Sequence, residues 1–305
     1  MRVVLAWALL MVGLVVLREY LNKNRYPDGK VSVGNEGVVG TFADEKVALL
    51  NKALPECHRT LAGFLSAGTP EARNQFVIHS VETAGEIATF YRSHSFPKTH
   101  SSKLKRTAEQ LMRVDGTWLV FTRWTEDTPN GVEFDAVFQQ ESGSWKLDWY
   151  HFSRYSEYPW QLFLAGDGPD EATFRLLARR IVRGGRDSEE YGARMSIALV
   201  DPRVEKENLE QSAIAEIQVD RRSDAGFLLE AGFESKSRGR TLFGADFSSA
   251  IEPEGLIRVR VKVRREELGR VRRFEIEEVA ACHWVDTRFS GFDLEVLRND
   301  LFGGR

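Results

Sequence analysis

Residues 117–151 read TWLVFTRWTEDTPNGVEFDAVFQQESGSWKLDWYH, and this stretch decides how the first half of the chain is read. Trp118, Val120, Thr122 and Trp124 alternate with Leu119, Phe121 and Arg123, so both faces of the segment are largely apolar, as in a central strand. Pro129-Asn130-Gly131 marks a turn. Val132, Phe134, Ala136 and Phe138 then form one face of a strand with Glu133 and Asp135 on the other. Ser142-Gly143 is a second turn, after which Trp145, Leu147, Trp149 and His151 point one way and Lys146, Asp148 and Tyr150 the other. Upstream, Leu104–Val114 followed by Asp115-Gly116 supplies a further strand and a hairpin turn. The reading is an antiparallel meander of four strands.

Working outward toward the N-terminus, the period changes from two to three and four. Val47, Leu50, Leu54, Leu61, Phe64 and Leu65 lie on one helical face, and Pro55 inside that run predicts a break or kink. Thr69 and Pro70 have the types of an N-cap and a first helical residue, and Ser80 opens a third helix that carries Ile87, Phe90 and Tyr91 inward. Helices packed on such a meander make the fold class α+β.

Toward the C-terminus, Tyr158–Ala165 reads as a short closing helix and Gly166-Asp-Gly-Pro169 as a boundary. Beyond it the chain is mostly β, with strands expected at 174–182, 195–200, 214–219, 256–263 and 271–279, charged loops at 183–191, 202–211 and 234–240, and a terminal helix at 292–301. The expected layout is an anchor (1–22), a flexible linker (23–41), an α+β cone-like domain (42–166) and a β-rich domain (170–305).

The anchor rests on Val3–Leu17, an unbroken apolar run preceded by Arg2 and followed by Arg18, Glu19, Lys23 and Arg25. Fifteen residues span about 22 Å as a helix, shorter than the ~30 Å of a bilayer core. No small-x-small cleavage site follows Leu17, and Arg18 and Tyr20 suit the interface, so an uncleaved single-pass helix in the lipid bilayer is expected rather than a removed signal. The basic residues after the run lean toward a cytoplasmic body, whereas an anchor at the extreme terminus usually exports the rest of the chain. An extracytoplasmic, periplasmic body is the expectation. Residues 26–41 (YPDGKVSVGNEGVVGT) are rich in glycine and lack helical periodicity, as a tether does.

Composition narrows the function classes. The chain has 305 residues, 42 Lys+Arg against 45 Asp+Glu, two Cys and 42% hydrophobic residues. These numbers exclude disorder, a disulfide scaffold and a multi-pass membrane protein, and the near-neutral balance argues against a dedicated nucleic-acid binder. No G-x-S-x-G, H-E-x-x-H, C-x-x-C, P-loop or G-x-G-x-x-G motif occurs, so no cofactor is indicated. Ser95-Phe-Pro-Lys98 matches S-x-x-K by letters, but its proline prevents the helical turn that the pairing needs. His79, His94 and His100 have spacings unsuited to one helix turn, and no metal set is expected. Cys57 and Cys282 are read as buried thiols or, in an exported body, as a bridge.

The helical Phe64-Leu65-Ser-Ala-Gly-Thr-Pro-Glu71 stretch, the Phe90-Tyr91 helix end and the sheet ending in Lys146-Leu-Asp-Trp149 together resemble the nuclear transport factor two-like cone fold, in which helices lean against a curved sheet. The whole chain is similar to a bacterial family with a short N-terminal anchor, a cone-like domain and a β-rich domain ending near His283-Trp284-Val285. The resemblance implies a fold and no specific activity, because cone-fold domains include enzymes, binding modules and scaffolds.

Two surfaces carry the candidate chemistry. Trp118, Trp124, Phe134, Phe138, Trp145 and Trp149 are either core under the helices or the lining of a concave pocket, with Asp135, Asp148 and His151 as its polar groups and candidate acid–base residues. In Ile257–Arg265, Arg258, Arg260, Lys262 and Arg264 share one face, opposite Ile257, Val259, Val261 and Val263. Such a row suits anionic lipid or glycan. Arg265–Arg270 reads as a hairpin loop, and the return strand puts Glu275 and Glu277 outward, so pairing across the hairpin is the alternative. The sequence supports three functions, in this order: non-catalytic binding or scaffolding at a membrane with a protein partner, an enzyme built on the aromatic pocket, and electrostatic adhesion through the basic hairpin.

Overall fold

The computed structural model describes residues 39–94, 103–114, 117–127, 133–181, 193–203, 215–238, 255–269 and 271–302. Helix α1 (Val39–Ser66) opens the described chain. It buries Ala53, Leu54, Cys57, Leu61, Phe64 and Leu65, the face the three-four spacing indicates. The helix does not break at Pro55, contrary to expectation. Pro55 and Asn51, whose carbonyl loses its partner, both lie on the exposed side, where water takes the place of the missing N–H. Val39–Thr41, expected in the linker, already belong to this helix. Thr69 caps the short α2 (Pro70–Asn74), accepting from the Ala72 amide at 3.2 Å. In α3 (Ser80–Ser93), Thr83 and Ile87 are buried and Phe90 and Tyr91 pack partly inside.

The first sheet is the meander β1 (Leu104–Val114), β2 (Thr117–Glu126), β3 (Glu133–Glu141) and β4 (Ser144–Leu147), antiparallel throughout. Ser142 (φ 51°) and Gly143 (φ 81°) form the two-residue turn between β3 and β4, and both need the left-handed region that this hairpin loop imposes. One face carries Val120, Trp124, Ala136, Phe138, Trp145 and Leu147 into the core beneath α1 and α3. The other carries Leu119, Phe121 and Val137 into a second apolar cluster with Val285. Two covered faces explain the doubly apolar sequence of β2.

β4 is shorter than its alternation suggests. The strand stops at Leu147 because the Asp148 side chain caps a helical turn, α4 (Trp149–Ser153), accepting from the His151 amide at 3.0 Å. Helix α5 (Trp160–Ala165) follows and ends on Gly166 at φ 92°.

The second sheet contains β5 (Glu171–Ile181), β6 (Arg194–Val200), β7 (Ala215–Asp220), β8 (Leu256–Leu268) and β9 (Val271–Ala281) in the order β7-β6-β5-β8-β9. Its two edges, β7 and β9, approach each other, so the sheet curls into a nearly closed barrel. Helix α6 (Asp224–Ser237) lies against β7, β8 and β9 and adds Ala225, Leu228 and Leu229 to the barrel core. Burying an aliphatic side chain of this size fully is worth about 1.5–3 kcal/mol. Helix α7 (Leu294–Phe302) packs on α6. β8 runs to Leu268, which pairs with Val271, so most of the expected loop 265–270 belongs to the hairpin stem. Residues 234–237, expected in a loop, are helical.

The chain divides into two units, Met1–Glu45 and Lys46–Arg305, and both sheets lie in the second. Among the described residues no helix is long and apolar enough to cross a membrane. Val3–Leu17, residues 23–38 of the linker, the turns at Asp115-Gly116 and Pro129–Gly131, the Ser95–Lys98 stretch and His100 lie outside the described residues.

Candidate functional site

The structure separates the residues that the sequence groups into one pocket. Trp124, Phe138, Trp145 and Trp149 are buried among Leu54, Cys57, Leu61, Phe64 and Ile87, and Trp118 and Phe134 pack at the margin of the same cluster. They form the core under the helices. A shallow groove of about 300 Å³, lined by Glu56, Arg59, Thr60, Gln75, Phe76, Ser144, Trp145 and Lys146, touches Trp145 alone of the six. Its rim is already tied down: Glu56 accepts from the Trp145 amide at 3.0 Å, and Lys146 donates to the Gln75 carbonyl at 2.6 Å.

Asp135, Asp148 and His151 belong instead to a buried polar seam between the two sheets. Asp135 points away from Phe134 and Phe138, as β alternation requires. Its carboxylate receives Arg258 from β8 at 2.8 Å and Arg123 from β2 at 3.4 Å. Asp148, fully buried, accepts three hydrogen bonds: from the His151 amide, from the Asp286 amide at 2.7 Å and from Gln139 at 3.3 Å. Burial, reinforced by the charge of Asp286, pushes its carboxyl up to about 6, against the pull of the amide donors.

His151 stands edge-on to Phe121 and near the Trp284 ring, with Nε2 3.5 Å from an Arg258 nitrogen. Burial first, and then Arg258 and Arg154, hold its imidazole well below the usual range, so it is neutral. Its Nδ1 has no hydrogen-bond partner among the described residues.

The chain after β9 runs through this seam as a strap. Trp284 donates to the Leu176 and Val259 carbonyls at 3.1 and 3.2 Å, and the Arg258 guanidinium lies 4.7 Å above its ring. Arg175 of β5 donates to the Trp284 carbonyl and to the Tyr155 carbonyl, each at 3.1 Å. Arg260 donates to the Thr287 carbonyl at 2.6 Å and lies 3.6 Å from the Asp286 carboxylate. Arg175 and Arg260 are directly opposed across the strands, and like charges so placed repel. Asp286, within 3.9 Å of Arg175 as well, offsets that repulsion. His283 is 2% exposed and its Nε2 lies 2.7 Å from the Phe289 carbonyl. Burial, with Arg260 and Arg175 nearby, lowers it to about 3.

The basic row therefore divides. Arg258 and Arg260 turn inward to the seam, at 11% and 12% side-chain exposure. Lys262 pairs with Glu171 and with Glu277, and Arg264 pairs with Glu275 at 2.7 Å and with Glu277 at 3.3 Å. Among the described residues no three His, Cys, Asp or Glu side chains gather as metal ligands. His79 and His94 sit at opposite ends of α3, the latter stacked on Phe90. Cys57 and Cys282 are free and buried in different clusters, the first beside α1's core residues and the second in the barrel. Burial pushes both thiols up, Cys282 to about 12.

Sequence reasoning did not single out Arg123, Arg175, His283, Trp284 or Asp286 as site residues. The available signal was an arginine set between apolar neighbours, Arg123 in β2 and Arg175 in β5, since a buried arginine demands a partner from elsewhere. Comparison with protein-family models, curated proteins and solved structures finds no match to this chain.

Proposed function

We propose that the protein is a membrane-tethered, non-catalytic binding or scaffold protein, held to the bilayer by Val3–Leu17 with residues 42–166 in a cone-like arrangement and its body outside the cytoplasm. The observation that carries the non-catalytic part is the engagement of Asp135, Asp148 and His151 in the seam. Asp135 is spent on Arg258 and Arg123, and Asp148 is spent on three amide donors. His151 is sealed at 4% exposure against Phe121. A general acid or base must reach a substrate proton, whereas these side chains are buried against arginines, amides and aromatic rings of the fold. A buried ionic lock of this kind fixes how two sheets meet, and deleting one partner from such a lock is worth about 3–5 kcal/mol.

Urea unfolding of His151→Ala and Asp148→Asn tests the assignment. His151→Ala is expected to lower the stability of the body measurably at pH 7, and Asp148→Asn at pH 3.5, where the contribution of Asp148 is complete. Unchanged stability in both would contradict the scaffold reading, because polar groups buried without benefit to the fold are the signature of a working site, and the aromatic-pocket enzyme would then be favoured.

A further inference from the structure

The row from Arg258 to Arg264 is occupied by ion pairs, but the end of the same hairpin is not. Leu268 and Val271 are the last cross-strand pair of β8–β9, and they are 57% and 65% exposed. Two aliphatic side chains standing side by side at the tip of a long hairpin form an apolar point that nothing in the described chain covers. Beside them, Arg273 is exposed and makes no ion pair among the described residues, while Arg272 is held to Glu267 at 2.8 Å and to the Leu164 carbonyl. Behind the tip the stem is rigid. Arg265 donates to the Phe163 and Asp167 carbonyls, both at 2.9 Å, which braces the hairpin on α5.

We propose that this tip docks on the bilayer to which the chain is tethered, Leu268 and Val271 entering the headgroup–acyl boundary and Arg273 meeting anionic headgroups. The inference rests on the tethered reading above. The chemistry matches on two counts: apolar side chains gain by leaving water, and a cation beside them is attracted to whatever anionic headgroups the facing leaflet carries. The apolar run at Val3–Leu17 supplies the reason for a bilayer as occupant, since a chain anchored there keeps its body beside the lipid surface.

The test uses the full chain in vesicles of phosphatidylcholine with one-third phosphatidylglycerol. Val271→Cys, or Leu268→Cys from the opposite strand, is labelled with an environment-sensitive fluorophore, and the buried native thiols Cys57 and Cys282 are spared. Val81→Cys on α3, 86% exposed, is the control. The tip probe is expected to shift to the blue and to be quenched by spin-labelled lipid while the control stays aqueous. Arg273→Gln should lower the docked-to-undocked ratio of the tip about fivefold, the effect of one cation at an anionic surface. A chain that co-floats with vesicles while its tip probe stays aqueous overturns the docking and leaves the tether standing. A chain that does not co-float overturns both. Equal quenching at Val81, or a blue shift in detergent that grows with protein concentration, would replace docking by non-specific adsorption or by self-association.

Discussion

His283 offers the most quantitative perturbation, because its environment sets both the sign and the size of a pH effect. It is buried with Arg260 and Arg175 as the charged groups acting on it, and its folded value falls to about 3 from 6.5. The folded value is depressed, so the contribution to stability is complete above pH 6.5 and is lost as pH falls toward 3. Each pH unit in that window removes about 1.4 kcal/mol. At pH 4.5 about 3 kcal/mol has gone. His283→Gln keeps an amide that can donate to the Phe289 carbonyl but does not titrate. At pH 7.5 the variant should be less stable than the wild type by about 1 kcal/mol, the worth of a typical hydrogen bond. At pH 4.5 the order should reverse, the variant being more stable by about 2 kcal/mol, the difference of those two terms. Urea unfolding of the full chain in mild detergent, followed by tryptophan fluorescence, reads both values. Asp148 and His151 are present in both proteins and cancel in the difference. A gap that stays constant from pH 7.5 to 4.5 would refute the claim that His283 is held neutral in the seam.

Other perturbations probe different parts of the same structure. Asp148 titrates with the opposite sign: its folded value is raised from 3.8 to about 6, so its contribution is present below pH 3.8 and lost as pH rises through 6. Asp148→Asn should therefore flatten that part of the stability profile in the same urea assay. Asp135→Ala removes the carboxylate that Arg258 and Arg123 share and should destabilise by about 3 kcal/mol or more, and adding Arg258→Met should recover part of the loss in a double-mutant cycle. A Cβ on Gly226 would drive into the Asp220 carbonyl at the start of α6, so Gly226→Ala should cost about 1–3 kcal/mol, seen as a lower urea midpoint. Neither Cys57 nor Cys282 should react with a thiol reagent in the native protein, and both should react in urea, as expected of buried thiols pushed up by desolvation.

The strands were legible where one face is apolar and the period is two. β5, β8 and β9 lie within a few residues of their expected ranges because Phe174, Val259 and Ile276 alternate with polar neighbours, and β6 because Ile197–Val200 is a short continuous apolar run. Helix α6 was missed because its apolar residues are not spread along one face: Ala225, Phe227, Leu228 and Leu229 are buried together near its start, while Glu230, Glu234, Lys236 and Ser237 gather toward its end. Its Ser223 cap, which accepts from the Gly226 amide at 3.0 Å, was the one local signal. The strand expected through His151 ended early because a capping carboxylate at Asp148 outweighs the alternation around it. The seam was not legible as a unit. Each member sits in its own segment, Arg123 and Asp135 in the meander and Arg175, Arg258 and Asp286 far downstream, and only the docking of the two sheets brings them together. A sequence pattern reports which face a residue takes, and it does not report what that face meets.

The central claim, that this body is held at a membrane, is tested most directly by alkaline carbonate extraction of the full chain, with Leu9→Arg/Leu14→Arg as the comparison. Two arginines near the middle of a helix of this length oppose insertion by about 5 kcal/mol or more in sum. The account predicts that the wild-type chain stays with the carbonate-washed membranes and that the double variant is released. A wild-type chain recovered in the soluble fraction would contradict it.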